Sequence, residues 1–383
     1  MIKNFLGILI TFILLPVFYI RILWNALFKA RKLKILVIMT GKIGDLVCAT
    51  PVFREIKKKF PESYLAVGIR KQSYGVVQNN PYIDKFIFLN SKEYQGFSGG
   101  MRLIKELSKE RFTWSINLSP RAFNTILPFW AGIPKRITSV SRFTGKVARI
   151  FSFLNSYRLE YQQHTSKLKH NLEILKFVGI KNYSEKKEVF TTKEEEEKAL
   201  NFLKENNVKI NDFLIGIVVT AGNRLKEWEP EKFSQLADRL IEEVKAKIIF
   251  IGAPEDKQII EKVIYKMRNK AISATNFKLN ELAALFKKLK LFISVDTGPL
   301  YIAHAVGTPV VDIIGPVDIA VQPPQDEISE IVQKDIYCAP CCFVIPPARE
   351  CKEGHRRCVV DITVDDVFKA VKKLIRKCNI SYV

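Results

Sequence analysis

Neither of the two common phosphate-cradling signatures occurs in this 383-residue sequence. The turn after its first strand-like run reads Gly41-Lys42-Ile43-Gly44-Asp45, which is not G-x-G-x-x-G and lacks the G-K-[ST] of a P-loop, so nucleotide hydrolysis loses its main support. Cysteine is sparse, seven in all, and glycine, 18 in all, is far too rare for a collagen repeat; a small disulfide scaffold and a collagen-like fibre are both excluded. Acidic residues are missing from residues 1–34 and again from Arg111 to Arg158. No RNA- or DNA-binding motif accompanies that basic bias, so a nucleic-acid partner is not expected.

Hydrophobic residues at 48% and charged residues at 26% match an ordinary globular mix and exclude disorder, and the length suits two domains. Lys plus Arg outnumber Asp plus Glu by 61 to 39, a net charge of +22 that favours an acidic partner such as a phosphorylated lipid or an anionic bilayer. The amino terminus carries six of those charges, Lys3, Arg21, Lys29, Arg31, Lys32 and Lys34. Between them, Phe5 to Phe28 is apolar apart from Arg21; as one helix it would extend about 36 Å, enough to cross a hydrocarbon core of roughly 30 Å. It is read as a membrane anchor over residues 1–33. No small-residue cleavage site follows it, which argues against a signal peptide. A spanning helix and an interfacial or re-entrant helix bent at Pro16 both remain open. The basic residues after the run place residues 29 onward in the cytoplasm, at the inner membrane, where thiols stay reduced.

Past the anchor the pattern is βα. Ile35–Met39 reads as a buried strand, Leu46–Phe60 as a helix, and Leu65–Ile69, Lys85–Leu89 and Trp114–Leu118 as further strands. The pattern restarts at Phe213–Val219, with strands at Lys247–Ile251, Leu291–Val295 and Val310–Ile314 and helices at Pro230–Glu243, Pro254–Met267 and Leu279–Leu289. Such alternation implies parallel sheets. Lys193–Asn206 reads as a solvated helix before the second domain, giving domains at residues 34–205 and 206–363, and a helix near Val364–Lys377 within residues 364–383 is expected to pack back on the first domain. Arg111–Arg158 interleaves Arg and Lys with Phe123, Phe129, Trp130, Phe143, Phe151 and Phe153. It is either a basic surface over core aromatics or a surface that meets anionic groups at a bilayer.

Two positions carry chemistry. Ser294-Val295-Asp296-Thr297-Gly298-Pro299-Leu300 lies where a strand ends and a helix starts, a place where backbone N–H groups and the helix dipole hold a diphosphate. Asp296 is then a helix cap or an acid that contacts ligand. Asp45 sits at the start of the first domain's helix, as a cap or as a general base. Cys338, Cys341, Cys342, Cys351 and Cys358 with His355 have spacing that suits zinc, but a structural thiol cluster is the preferred reading and no metal is expected.

Gly44-Asp45-Leu46-Val47 with Thr50-Pro51, Leu225-Lys226-Glu227-Trp228, Gly252-Ala253-Pro254-Glu255-Asp256, Asp296-Thr297-Gly298-Pro299, Gly307-Thr308-Pro309 and Gly315-Pro316 together resemble the bacterial ADP-heptose:lipopolysaccharide heptosyltransferases, glycosyltransferase family nine, from about residue 34 to 375. The resemblance implies an α/β chain of two Rossmann-like domains facing a cleft, the B-type glycosyltransferase architecture, with the membrane helix added in front. It implies an inverting, metal-independent and cofactor-free transfer from an ADP-sugar to a lipopolysaccharide or other glycolipid acceptor. Asp45 matches the general base; Thr40, Gly41, Lys42, Lys226, Glu255, Asp296, Thr297 and Gly298 fall on the donor side, and Arg121 on the acceptor side. Where the family reads Pro-Met-His, this chain has Pro299-Leu300-Tyr301, with His304 one turn further on. Transfer of another nucleotide sugar, or non-catalytic binding of a sugar nucleotide at the membrane, are the competing readings.

Overall fold

The computed structural model describes residues 15–27, 32–143, 145–321, 323–343 and 348–381. These divide into two compact units, one holding the described residues through Tyr74 with Asn80–Glu185, the other holding Gly75–Asn79 and the residues from Lys186 onward.

The first unit is built on β1 (Lys34–Ile38), β2 (Tyr64–Ile69), β3 (Lys85–Phe88), β4 (Trp114–Asn117), β5 (Lys135–Val140) and β6 (Tyr157–Glu160), all parallel, in the order β3-β2-β1-β4-β5-β6. β1 is central, and Ile35 to Ile38 are fully buried, as a strand covered on both faces requires. The second unit uses β7 (Leu214–Val218), β8 (Lys247–Ile251), β9 (Ile272–Ala274), β10 (Leu291–Val295), β11 (Val310–Ile314) and β12 (Ser329–Gln333), also parallel, in the order β12-β11-β10-β7-β8-β9. Numbered within its own unit, each sheet runs third, second, first, fourth, fifth, sixth. Connections leave the first strand in opposite directions there, so a crevice opens at the carboxyl ends of β1 and β4 and of β7 and β10.

β8, β10 and β11 have the bounds read from sequence. The expected helix Leu46–Phe60 is two, Ile43–Val47 and Thr50–Lys59. Pro51 explains the break, since its ring cannot donate to the Val47 carbonyl; the Thr50 hydroxyl does so instead, at 2.8 Å. β5 lies inside the basic segment and was hidden by it: Arg136 is buried, its guanidinium donating to the carbonyls of Ile133, Pro134 and Leu154 at 2.6–2.9 Å.

Three expectations about domain limits are corrected. The helix Lys193–Glu205 belongs to the second unit, so the division falls at 185/186 rather than near 205. The helix Val364–Lys377 does not return to the first domain; Val367, Phe368, Val371, Leu374 and Ile375 form one apolar stripe buried in the core of the second unit, against β11, β12 and the helix Pro230–Val244. Of the expected anchor, residues 1–14 and 28–31 lie outside the described residues. The remainder is a 13-residue helix, Leu15–Leu27, docked on the first unit. Ile22 is buried with Ile126, Phe129, Phe151 and Leu154; Leu15 and Phe18 pack on the same cluster. The Asn25 amide donates to the Gly132 carbonyl at 2.8 Å. Gly132 has φ +73°, and a Cβ there would meet Arg21 at 3.0 Å, so both the turn and the close approach require glycine. Among the described residues no helix is long and apolar enough to cross a membrane, and a spanning anchor is not supported.

His170 is buried in the first unit with Nε2 2.7 Å from the Ser139 hydroxyl and its ring edge-on to Tyr161. Burial, aided by the Lys167 and Lys176 charges, pushes the imidazole down to about 3. Below about pH 6.5 the unfolded chain therefore takes a proton that the folded chain refuses, and stability falls with pH toward about 3, by up to about 1.4 kcal/mol per unit. His170→Gln should abolish this loss: in urea denaturation, the gap between wild type and variant narrows from pH 7 to pH 4.5.

Candidate active site

In the first unit the chain leaves β1 through Met39 and Thr40 and turns at Gly41. The Thr40 N–H donates to the Ser119 hydroxyl at 2.9 Å, and the Asn124 amide donates to the Thr40 hydroxyl at 2.7 Å, so residues following β1 and β4 are tied together at the crevice. Asp45, in the first turn of Ile43–Val47, accepts the Lys42 N–H on Oδ2 at 2.8 Å. Its carboxylate folds over Gly41, where a Cβ would lie 2.7 Å from Oδ2 and 2.8 Å from Cγ. Glycine is needed at 41 because the aspartate occupies the space. Lys42 itself is exposed. Lys167, which sequence reading missed, is fully enclosed nearby and donates to the Leu118 carbonyl at 3.2 Å. Burial lowers its pKa, and the Asp45 carboxylate acts in the opposite sense. A buried lysine facing an aspartate leaves no periodic signal in a sequence. Arg121 is exposed and forms the N-cap of the helix Ala122–Trp130, immediately after the β4 turn.

In the second unit the counterparts follow β7 and β10. The Asn223 side chain accepts the Leu225 N–H at 3.3 Å and sets the short turn Arg224–Lys226; Glu227 Oε1 accepts the Ala221 N–H at 3.0 Å. From that turn Lys226 reaches Asp296 Oδ2 in an ion pair that is largely buried, while the Tyr301 hydroxyl donates to Asp296 Oδ1 at 2.5 Å. Asp296 is thus committed to Lys226 and Tyr301. The cap position of the helix Gly298–Ala305 falls to Thr297, whose side chain makes no cap bond. Burial alone would lower the Lys226 pKa, but the charge and hydrogen bond of Asp296 raise it. Asp312 on β11, paired with Ser294, is a group that sequence reading missed; both its oxygens are buried without a hydrogen-bond partner. Burial, then the Asp296 charge, pushes its pKa well above the usual range, against the Lys226 charge.

Glu255 is exposed at the end of β8, where Asp256 accepts the Ala253 N–H at 2.8 Å. His304 is buried and bonded through Nε2 to Asp326 at 2.7 Å, a packed residue rather than a substitute for the family's histidine. Burial acts to raise the Asp326 pKa, but the hydrogen bond and charge of His304, the Ser329 hydrogen bond and the Lys187 charge together draw it down to about 2. The seven cysteines are free thiols; burial and the neighbouring Cys341, Cys338 and Cys351 push Cys358 up to about 11. Among the described residues no group of His, Cys, Asp or Glu is arranged to hold a metal ion.

The sequence pattern described as glycosyltransferase family 9 (heptosyltransferase) matches residues 100–350. The chain belongs to glycosyltransferase family 9. It is a glycosyltransferase, and other family members are similar along most of its length. Lipopolysaccharide heptosyltransferase 3 of Escherichia coli (strain K12) is 25% identical over 338 residues, 87% of this chain and 95% of that protein. Lipooligosaccharide heptosyltransferase 2 of Campylobacter jejuni serotype O:2 is 23% identical over 361 residues, 91% and 100%. Among solved structures, a family 9 glycosyltransferase from Veillonella parvula superposes with a TM-score of 0.79 at 23% identity, covering 91% of this chain and 99% of the other. Escherichia coli ADP-heptose lipopolysaccharide heptosyltransferase II gives 0.71 at 16%, covering 91% and 100%. The fold is therefore that of family 9, two parallel-sheet α/β domains.

Two outcomes test the site as described. Gly41→Ala should drive Asp45 from its position and lower transfer by about a hundredfold or more with little change in thermal unfolding, measured as nucleotide release per enzyme. For Asp312, a raised folded-state pKa means the folded chain holds a proton that the unfolded chain gives up, so stability declines as pH rises above about 4. Asp312→Asn should flatten that decline between pH 4 and 8 in urea titrations.

Proposed function

We propose that this glycosyltransferase moves heptose from ADP-heptose to a hydroxyl of a lipopolysaccharide core acceptor, by a single inverting displacement that needs neither metal nor cofactor. The observation that carries the reading is the Lys226–Asp296 pair at the carboxyl ends of β7 and β10, a cation held in place beside an uncapped helix start. Support comes also from the relatives, named as lipopolysaccharide and lipooligosaccharide heptosyltransferases, and from the similarly folded Escherichia coli heptosyltransferase WaaC, solved with ADP.

In this mechanism Asp45 accepts the proton of the acceptor hydroxyl as its oxygen bonds to the anomeric carbon. The bond from that carbon to the diphosphate oxygen breaks, and its electron pair leaves with ADP. General-base catalysis of this kind contributes about 10²–10⁴-fold. Lys226 and the N–H groups at Thr297 and Gly298 meet the charge that develops on the diphosphate, the part a metal ion plays elsewhere. Thr40, Gly41 and Lys42 shape the turn beside Asp45, Glu255 contacts the nucleotide ribose, and Arg121 meets acidic groups of the acceptor. The enzyme works at the cytoplasmic face of the inner membrane, a placement supported by the basic residues that follow the apolar amino-terminal run.

Asp45→Asn is the direct test. Transfer should fall by about a hundredfold or more while ADP binding stays within about threefold of wild type. Wild-type turnover in that variant overturns the base assignment. The donor is tested on detergent-solubilised protein with EDTA present, by titration with ADP-heptose and rival nucleotide sugars followed by assay on a truncated lipopolysaccharide. Preference for another nucleotide sugar overturns the substrate, a metal requirement overturns the charge-neutralisation scheme, and binding without turnover favours a non-catalytic protein.

A further inference from the structure

The helix Leu15–Leu27 has two apolar faces and uses one of them for the fold. At about 100° per residue, Leu15, Phe18, Ile22 and Asn25 share the side that packs on Ile126, Phe129, Phe151 and Leu154, and Val17, Ile20, Leu23 and Trp24 share the opposite side. Those four are 59%, 66%, 62% and 61% exposed. Phe151 is buried in the cluster under the helix, while its chain neighbours Ile150 and Phe153 are 55% and 46% exposed, and Phe123 is exposed at the start of Ala122–Trp130. Basic side chains stand exposed in the same stretch, Arg121, Arg142, Lys146, Arg149 and Arg158, and from Arg111 to Arg158 the chain has no acid to offset them. A folded domain rarely leaves so many large apolar side chains in water without a use.

We propose that this face is a membrane-docking surface: Val17, Ile20, Leu23 and Trp24, flanked by Ile150 and Phe153, enter the headgroup boundary of an anionic phospholipid bilayer, with the helix lying in the membrane plane. The inference stands apart from the donor and acceptor assignments. Three features select the bilayer as occupant. The charge is of one sign and matches anionic lipid, whereas a protein partner would have to supply the acids. Apolar insertion and a basic surround are the two signals that together give stable interfacial binding. The sequence immediately upstream, Phe5 to Leu14, is also uncharged and apolar. A spanning role does not suit the helix. Withdrawing it into a bilayer core would uncover Ile126 and Phe129.

The test uses the full chain and sedimentation with vesicles of phosphatidylcholine alone or with one third phosphatidylglycerol. Wild type should bind the anionic vesicles several-fold better and lose that preference in high salt. The double variant I20E/L23E should lower partitioning by about tenfold or more. K146E/R149E should lower it on anionic vesicles only. ADP binding and the urea midpoint, unchanged in both variants, show that the fold persists. Trp24 emission should be quenched more by lipids brominated near the headgroup than near the chain ends, a signal lost in W24F. Wild-type binding by I20E/L23E overturns the proposal and leaves residues 1–14 as the membrane contact; equal binding to neutral vesicles, or deep quenching of Trp24, also overturns it. A wild-type dimer in solution that I20E/L23E converts to monomer, without vesicle binding by either, assigns the face to a second copy instead.

Discussion

A lysine taken out of water must keep a counter-charge, and Lys226 keeps Asp296. The remainder of the second unit's site is arranged around that requirement. Asp296 stands at the end of β10 with both oxygens engaged, by Lys226 and by Tyr301, so it is not available to cap the helix that follows, and the helix begins at Thr297 without a side-chain cap. Asp312, on the adjacent strand and fully enclosed, has no hydrogen-bond partner on either oxygen, and burial with the Asp296 charge raises its pKa against the pull of Lys226. An uncompensated buried charge costs several kcal/mol, so the Lys226–Asp296 pair and the raised pKa of Asp312 both act to limit unpaired charge here. The ion pair stands at the crevice at the ends of β7 and β10. On the proposed mechanism that is where the charge of the departing diphosphate is met.

The two units repeat one local device, and the repetition shows what a capping aspartate does not prove. Gly41 and Asp45 are four residues apart, as are Gly252 and Asp256; in each case the carboxylate accepts the N–H of the residue after the glycine and fills the space a Cβ would need. Asp256 does this at the end of β8, away from the crevice of its sheet. Asp45 does it at the end of β1, where the Thr40, Ser119 and Asn124 hydrogen bonds join the ends of β1 and β4, and an enclosed lysine, Lys167, feels its charge. Position at the crevice and the charge of a buried lysine are what distinguish Asp45, the base of the proposed mechanism, from Asp256.

The parallel α/β architecture was legible because buried parallel strands are unbroken apolar runs: Lys247–Ile251, Leu291–Val295 and Val310–Ile314 were bounded correctly on that signal. It failed where the run was interrupted. β5 carries Arg136, and β12 carries Ser329 and Glu330, side chains that read as surface until the carbonyls and neighbours that satisfy them are known. The amphipathic stripe of Val364–Lys377 identified a packed helix and said nothing of which sheet it packs on. Asp45 and Asp296 were found because they lie in short turns beside a glycine, and Lys226 through the family resemblance. Lys167 and Asp312 were not, because a buried titratable group is defined by its enclosure.

One helix links the docking surface to the chemistry. Ala122–Trp130 has Arg121 at its N-cap and Asn124 bonded to Thr40, while Ile126 and Phe129, two and five residues further on, carry the helix Leu15–Leu27. Its nine residues span about 13 Å. On the docking proposal, the same short helix that carries Leu15–Leu27 also reaches the Thr40 turn, so the membrane face and that turn are fixed to one element. Holding the acceptor's lipid in two dimensions also replaces a search through solution with a search over a surface, which raises the effective concentration of the hydroxyl at Asp45 without any added contact to the sugar. The amino-terminal helix on this reading acts on catalysis through encounter, and the residues that dock it can differ from those that bind sugar and base.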